Sequence, residues 1–114
     1  MRFAELNRHA RQAGALLKAL GNERRLLVLC HLAEGERSVG ELERLIGLSQ
    51  SALSQHLARL RRDNVVATRR VAQTIYYSLA NLEAEAVLEL LDRLVAGPND
   101  PAEADRMLPD RADL

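Results

Sequence analysis

Apolar residues recur along much of the chain at the three- and four-residue spacing of amphipathic helices, and glycines and capping residues divide them into five segments. The first predicted helix covers residues 4–20 and ends at Gly21. The second begins at Asn22, a favourable N-cap, and ends at Gly35. The positions expected to face inward are Leu6, Ala10, Ala13, Leu17 and Leu20 in the first helix and Leu26, Leu29, Cys30 and Ala33 in the second.

A tight turn joins the third and fourth predicted helices. Ser38 and Glu41 have the spacing of a capping box, which begins the third helix, and Gly47 can adopt the left-handed conformation that ends it. Ser49 then caps the fourth helix, which covers residues 50–62. Two short helices joined in this way form a helix-turn-helix. The fourth helix is expected to turn three leucines inward, Leu53, Leu57 and Leu60.

β-Branched and aromatic residues predominate after the fourth helix and predict two strands, at residues 65–70 and 74–79. The link between them lacks an Asn-Gly or Asp-Gly pair, so strand propensity alone indicates the hairpin. Asn81 is a favourable N-cap for the fifth helix, which ends at Gly97. The apolar face of this last helix consists of Val87, Leu90, Leu91 and Leu94.

The predicted order of elements is α-α-α-α-β-β-α, a mainly α fold with a small β-hairpin, and it is typical of a winged helix-turn-helix. At 114 residues and 12.7 kDa the chain is long enough for one domain, which we assign to residues 1–97. Residues 98–114 hold all three prolines and five of the acidic residues, and we expect them to form a flexible acidic tail.

The composition excludes several classes of protein. No apolar run approaches the roughly 18 residues that a membrane span needs, so we expect a cytoplasmic protein without a membrane partner. A single cysteine cannot form an intrachain disulfide. No Ser/His/Asp set, phosphate-binding loop or paired-carboxylate pocket is indicated, and we expect neither catalysis nor a bound cofactor. His9 and His31 fall on separate predicted helices without a third ligand, which argues against a metal site.

The net charge of zero hides an uneven distribution along the chain. Residues 1–80 carry 13 Lys or Arg and 7 Asp or Glu, a net +6, whereas residues 81–114 carry a net −6. Residues 49–80 alone hold five arginines and one acid, Asp63, a net +4. A cationic patch over the fourth helix and the hairpin is typical of a protein that binds nucleic acid.

The fourth helix turns a small, polar and basic face away from its leucines. Serine and glutamine hydrogen-bond to base edges, short side chains permit a close approach, and arginine binds guanine or phosphate. The hairpin adds arginines where a wing can contact the backbone or the minor groove. His56, at the edge of the core face, is expected to hydrogen-bond within the scaffold instead of contacting bases. We therefore predict duplex DNA as the partner, bound through Gln50, Ser51, Ser54, Gln55, Arg59 and Arg62 of the helix and Arg69, Arg70, Gln73 and Thr74 of the hairpin.

Proteins that read DNA with a helix-turn-helix usually bind as dimers. The first and last helices both carry apolar stripes, and we predict that they form the interface of a homodimer. Two alternatives stay open. One is a dimeric interaction module that binds no DNA, which the neutral total charge and the acidic tail allow. The other is a repressor released by a metal ion.

Four segments between Leu17 and Leu79 carry a family resemblance. They are LKALGNERRLLVLC at residues 17–30, SVGEL at 38–42, LSQSALSQHL at 48–57 and QTIYY at 73–77. Together they resemble the ArsR/SmtB family of bacterial repressors, and within it the thiol-based BigR-like and HlyU-like regulators, which respond to reactive sulfur species or oxidants. The resemblance implies a homodimeric winged helix-turn-helix repressor that occupies a promoter and leaves it upon a signal.

The chain departs from the family at the sensing residues. Metal-sensing members carry Cys-x-Cys on the third helix, where this sequence has Val39–Glu43, so the resemblance implies no metal. Thiol-sensing members carry one cysteine on the second helix, matched by Cys30, and a partner cysteine near the end of the last helix, where Ala96 stands. The intrachain crosslink of the family therefore cannot form. Cys30 is either a redox- or sulfur-responsive thiol or an inward-facing packing residue, and Ala96 is either natural or an engineered replacement of cysteine.

Overall fold

Six helices and three short strands make up residues 1–97, the part of the chain that the computed structural model describes. The mainly α fold, the helix-turn-helix and the hairpin are confirmed, and the tail predicted at residues 98–114 lies outside the described residues. In chain order the elements are α1 (Ala4–Arg8), α2 (Ala10–Leu20), α3 (Glu23–Glu34), β1 (Arg37–Ser38), α4 (Val39–Ile46), α5 (Gln50–Arg62), β2 (Val66–Val71), β3 (Thr74–Leu79) and α6 (Leu82–Ala96).

The prediction of one helix over residues 4–20 was wrong, because the segment forms two helices. His9 has the non-helical dihedral angles φ −112° and ψ 27° and separates α1 from α2. Neither glycine nor proline marks this position in the sequence. None of the residues of α1 is buried, so packing against the core does not hold α1 in line with α2.

Strand β3 is the centre of a three-stranded antiparallel sheet with the order β1-β3-β2. Strands β2 and β3 form the predicted hairpin, in a register that places Val71 opposite Thr74. Strand β2 begins one residue later than predicted, and the Val65 N–H donates instead to the Leu60 carbonyl oxygen at 2.9 Å. Strand β1 was not predicted, since two residues are too few to give an alternating pattern.

The hydrophobic core surrounds α5. The three leucines predicted to face inward, Leu53, Leu57 and Leu60, are at most 1% exposed. Apolar side chains from α2, α3, α4 and α6 and from the start of β2 complete the core. Its buried residues are Ala19, Leu20, Val28, Leu29, Leu32, Leu42, Leu53, Leu57, Leu60, Val65, Val66, Ala84 and Leu88.

Helix α3 is rotated relative to the prediction. Its buried residues are Val28, Leu29 and Leu32, whereas Cys30 is exposed, so the expected inward position of Cys30 was wrong. Residues 26–30 are all apolar, and such a run is compatible with several buried faces. Packing of α3 against α4, α5 and β3 selects the observed one.

Most of the apolar positions predicted to face inward on the first and last helices are exposed in the single chain. Leu17 of α2 is 59% exposed and Leu90 of α6 is 48% exposed. Leu20, which was predicted to face inward, is buried, and Ala19, Ala84 and Leu88 anchor the two helices with it. A single chain thus leaves apolar side chains of both helices in contact with water, the arrangement expected of a surface that pairs with another chain.

Local hydrogen bonds fix the helix-turn-helix. The Glu41 N–H donates to Ser38 Oγ at 3.2 Å, and the Ser38 N–H donates to Glu41 Oε1 at 3.1 Å, which completes the predicted capping box. Gly47 adopts the left-handed angles φ 78° and ψ 21°. The Ala52 N–H then donates to Ser49 Oγ at 3.2 Å. Residues 47–49 alone therefore separate α4 from α5 and set the angle between them.

Replacement of Gly47 by alanine tests the turn. Gly47→Ala is expected to lower the free energy of unfolding by about 1–2 kcal/mol, because the left-handed conformation presses Cβ against the following carbonyl. The matched control is Gly14→Ala in α2, where a Cβ meets open space and alanine gains up to about 1 kcal/mol of helix propensity. Urea denaturation at one protein concentration measures both. Equal effects of the same sign would contradict the role of Gly47.

Candidate nucleic-acid interface

The residues of α5 opposite its buried leucines form a continuous exposed face. Gln50, Ser51, Ser54, Gln55 and Arg62 of the predicted set are all exposed. The leucine positions explain this exposure, because a helix that buries one side must present the other to solvent. Five of the six residues predicted on this helix are therefore accessible to a ligand.

Arg59 and His56 are both half-buried. Arg59 is half-buried, and its Nε donates to Asp63 Oδ2 at 2.8 Å, one turn further along the chain. Asp63 therefore engages Arg59 in the unbound protein, and the role of Arg59 as a DNA contact stays a prediction. His56 is half-buried as well, and within residues 1–97 it does not make the scaffold hydrogen bond expected of it.

The hairpin forms a wing whose tip carries polar and basic side chains. Arg69, Arg70, Gln73 and Thr74 are exposed, as predicted. Ala72 adopts φ 55° at the first position of the two-residue turn. Arg70 Nε donates to the carbonyl oxygen of this residue at 3.1 Å, which holds the guanidinium beside the tip.

Arg69 is engaged by a carboxylate of the same chain. Its Nε donates to Glu36 Oε2 and its Nη2 donates to Glu36 Oε1, both at 2.7 Å. The guanidinium carbon also lies 5.1 Å from the centroid of the Tyr76 ring. The hydrogen bonds to Arg69 lower the pKa of Glu36 and raise that of Arg69, so both groups are charged near neutral pH. Sequence reasoning missed Glu36, because no local pattern links residues this far apart.

A hollow of about 500 Å³ lies between α5, the start of α4 and β3. Ser54 and Arg62 of the predicted set line it, together with Arg61 and Tyr77. Arg61 is exposed and lies within about 20° of Ser54 around the helix axis, so it borders the predicted polar face although it was not among the predicted residues. Strand pairing, which could not be predicted from the sequence, brings Tyr77 to the same hollow. Two guanidinium groups and two hydroxyls at one site are suited to a phosphate group.

Cys30 lies on α3, and two carboxylates influence its thiol. Cys30 is exposed as a whole, but partial burial of its thiol raises the pKa of that thiol, and the carboxylates of Asp92 on α6 and Glu34 raise it further. A thiol of raised pKa is protonated near neutral pH and is a weak nucleophile. Asp92 precedes Ala96 by one helical turn, so the expected position of the partner cysteine lies on the same side of α6 as Asp92.

Within residues 1–97, no group of three His, Cys, Asp or Glu side chains is positioned to hold a metal ion. His9 Nε2 lies 3.9 Å from Glu5 Oε2, and His31 belongs to another helix, α3. No helix in the range is both long and apolar enough to cross a bilayer.

Comparison with known proteins points to one family. Residues 22–68 match the profile described as "Bacterial regulatory protein, arsR family". The transcriptional activator HlyU of Vibrio cholerae serotype O1 is 52% identical to this chain over 99 residues. The match covers 87% of this chain and 92% of that relative.

Solved structures have the same fold. Reduced HlyU from Vibrio cholerae N16961 is similar with a TM-score of 0.76 and 54% identity, covering 82% of this chain and 98% of that one. The transcriptional repressor BigR from Xylella fastidiosa has a TM-score of 0.76 and 41% identity, covering 80% and 93%. A homodimeric winged helix-turn-helix DNA-binding domain, Mb0332 from Mycobacterium bovis, has a TM-score of 0.70 and 27% identity, covering 83% and 88%, and is described as a possible ArsR-family transcriptional regulator.

Alkylation kinetics test the environment of Cys30. Asp92→Asn removes a carboxylate that raises the pKa of the thiol, so the pKa is expected to fall and the reaction with iodoacetamide at pH 8 to accelerate. Glu85→Gln, on the same helix, is the control and is expected to leave the rate unchanged. The rate measured from pH 7 to 10 gives the pKa directly. An unchanged pKa in Asp92→Asn would contradict the influence of that carboxylate.

Proposed function

The chain belongs to the arsR family of bacterial regulatory proteins, and on this premise we propose that it controls transcription as a homodimer bound to operator DNA. Family membership makes it a transcription regulator and not an enzyme. Its relatives include a named activator and a named repressor. We propose repression for this chain, through exclusion of other proteins from the DNA that it covers, and we expect a cytoplasmic location.

The exposed polar face of α5 is the observation that carries this proposal. Gln50, Ser51, Ser54 and Gln55 offer donors and acceptors for base edges, and the short side chains among them permit entry into the major groove. Arg62 at the end of the helix adds a cation for guanine or phosphate. The tight turn after α4 fixes the backbone that carries this face, so little backbone freedom remains to be lost on binding.

The wing supplies contacts that do not depend on sequence. Arg70 at its tip has a guanidinium that no carboxylate of residues 1–97 engages, and Gln73 and Thr74 lie beside it. Such groups bind phosphate oxygens and position a protein on the duplex. We therefore assign base reading to α5 and backbone binding to the wing and to the hollow beside Arg61.

The homodimer is supported by the uncovered leucines of α2 and α6. Leu17, Leu90 and Leu94 are 59%, 48% and 39% exposed in the single chain, although they lie on the apolar stripes of their helices. Exposed apolar side chains of this kind are typical of an interface between subunits. The Mycobacterium bovis relative with the same fold is described as homodimeric. A twofold pair of α5 helices would read two half-sites about one turn of DNA apart.

A response to sulfur species or oxidants through Cys30 is a second candidate function. The accessibility of the side chain favours it. Because Ala96 occupies the partner position, we propose that any such response uses one thiol per chain, by persulfidation, sulfenylation or a bridge to an external thiol. The raised pKa of Cys30 makes these reactions slow near neutral pH.

Two substitutions separate base reading from backbone binding. Gln55→Ala is expected to weaken binding to a duplex selected from a randomised pool by about 1–3 kcal/mol and to leave binding to a scrambled duplex nearly unchanged. Arg70→Ala is expected to weaken binding to both duplexes equally and to reduce the salt slope by about one unit. Fluorescence anisotropy over a series of salt concentrations measures both effects. Equal losses of Gln55→Ala on the two duplexes would contradict base reading by α5.

Titrations with salt and with zinc distinguish the proposed function from its two alternatives, an interaction module that binds no DNA and a repressor released by metal. Wild-type affinity is expected to fall steeply with salt, with a log–log slope of several units. No duplex binding at low salt would instead indicate a dimeric interaction module. Isothermal titration with zinc is expected to give no tight stoichiometric binding, and a tight site would indicate a repressor released by metal.

A matched pair of leucine substitutions tests the dimer interface. Leu90→Asp on α6 is expected to raise the dimer dissociation constant by about 10-fold or more, because association would bury an unpaired carboxylate. The control is Leu45→Asp on α4, since Leu45 is 49% exposed and Leu90 is 48% exposed. Sedimentation equilibrium measures the dissociation constants. A greater effect of Leu45→Asp would move the interface to α4.

A further inference from the structure

The Glu36–Arg69 ion pair joins the wing to a loop of the protein body. Glu36 lies between α3 and β1, and Arg69 lies on β2, 33 residues later. Both hydrogen bonds are 2.7 Å long and use the Nε and Nη2 atoms on one edge of the guanidinium. The ring of Tyr76, the cross-strand partner of Arg69, covers one face of the same group.

The edge of Arg69 that Glu36 occupies is the edge best suited to phosphate. A guanidinium binds carboxylate and phosphate through the same two parallel N–H donors, so one edge cannot hold both at once. The charge of Glu36 also cancels that of Arg69, and the hydrogen bonds that lower the pKa of Glu36 keep it ionised. In the unbound protein Arg69 therefore adds no net positive charge to the wing.

The neighbouring Arg70 provides an internal comparison. Its Nε donates to a backbone carbonyl, that of Ala72, and within residues 1–97 no carboxylate forms an ion pair with it. The two arginines are adjacent in sequence and both exposed, but only one of them is neutralised. The difference comes from Glu36 and not from the wing itself.

We propose that Glu36 competes with DNA phosphate for Arg69 and thereby lowers the affinity of the wing for DNA of any sequence. Glu36 acts through Arg69 and is a positioning residue, not a DNA contact. This inference rests on the proposed function, because it requires that the wing lie against a duplex. Since the penalty falls on a backbone contact, it applies to operator and non-operator DNA alike and leaves their discrimination to α5.

A double-mutant cycle tests the competition. Glu36→Gln is expected to bind both the selected and the scrambled duplex about two- to fivefold more tightly than wild type, the range set by breaking one exposed ion pair. The glutamine of this variant keeps a side-chain oxygen that can accept a hydrogen bond from Arg69. Glu36→Ala leaves no such acceptor and is expected to gain at least as much affinity. In the Arg69→Ala background, Glu36→Gln is expected to change nothing, because the contested guanidinium is gone. The gain is also expected to shrink as salt rises and screens the pair.

Three outcomes would overturn the inference. Unchanged or weaker DNA binding by Glu36→Gln would mean that the Glu36 carboxylate does not compete with DNA phosphate for Arg69. An equal gain in the Arg69→Ala background would mean that Glu36 only repels DNA by its charge. Glu43→Gln removes a carboxylate of α4 and leaves the Glu36–Arg69 ion pair intact. A similar gain in affinity from this variant would also mean that general charge repulsion, and not competition for Arg69, weakens DNA binding. Thermal unfolding of each variant verifies that the fold is retained. Wild-type binding and the effect of Gln55→Ala test the proposed function separately, so the two can fail independently.

Discussion

Burial of three leucines in α5 is the constraint on which the DNA-facing surface depends. Leu53, Leu57 and Leu60 lie on one side of the helix, and each contributes about 1.5–3 kcal/mol through removal from water. Any rotation of the helix that hid Gln55 would expose one of these leucines. The polar face therefore needs no contacts of its own to remain outward, and its side chains stay available to a partner.

Short-range features were predictable from sequence, and long-range ones were not. The caps formed by Asn22, Ser38, Ser49 and Asn81 were predicted correctly because each joins groups at most three residues apart. The buried face of α3 was predicted wrongly because its run of apolar residues is compatible with several rotations, and only packing against other elements distinguishes them. Strand β1 forms because it pairs with β3, and α1 separates from α2 because α1 buries no residue. Neither cause can be recognised from a local sequence pattern.

The number of arginines could be read from the sequence, but the number free to bind DNA could not. Sequence reasoning identified a cationic segment, but two of its five arginines, Arg59 and Arg69, donate hydrogen bonds to Asp63 and Glu36. A third, Arg62, has its Nε 3.8 Å from Asp63 Oδ1. Asp63 lies one turn from Arg59, within the range of local reasoning, whereas Glu36 reaches Arg69 only because β1 and β2 flank the same strand. The electrostatics of the interface are thus set by the sheet as much as by composition.

The short strand β1 also divides the wing into two mechanical parts. It pairs with β3 only at Tyr76 and Tyr77, so the base of the hairpin belongs to a three-stranded sheet. From Arg70 to Ile75 only two strands remain, and every side chain is exposed. Two-stranded ribbons twist more freely than wider sheets and have little stability of their own. The outer half of the wing is therefore flexible and its base is rigid, so the tip can adapt to a groove whose width varies from one duplex to another.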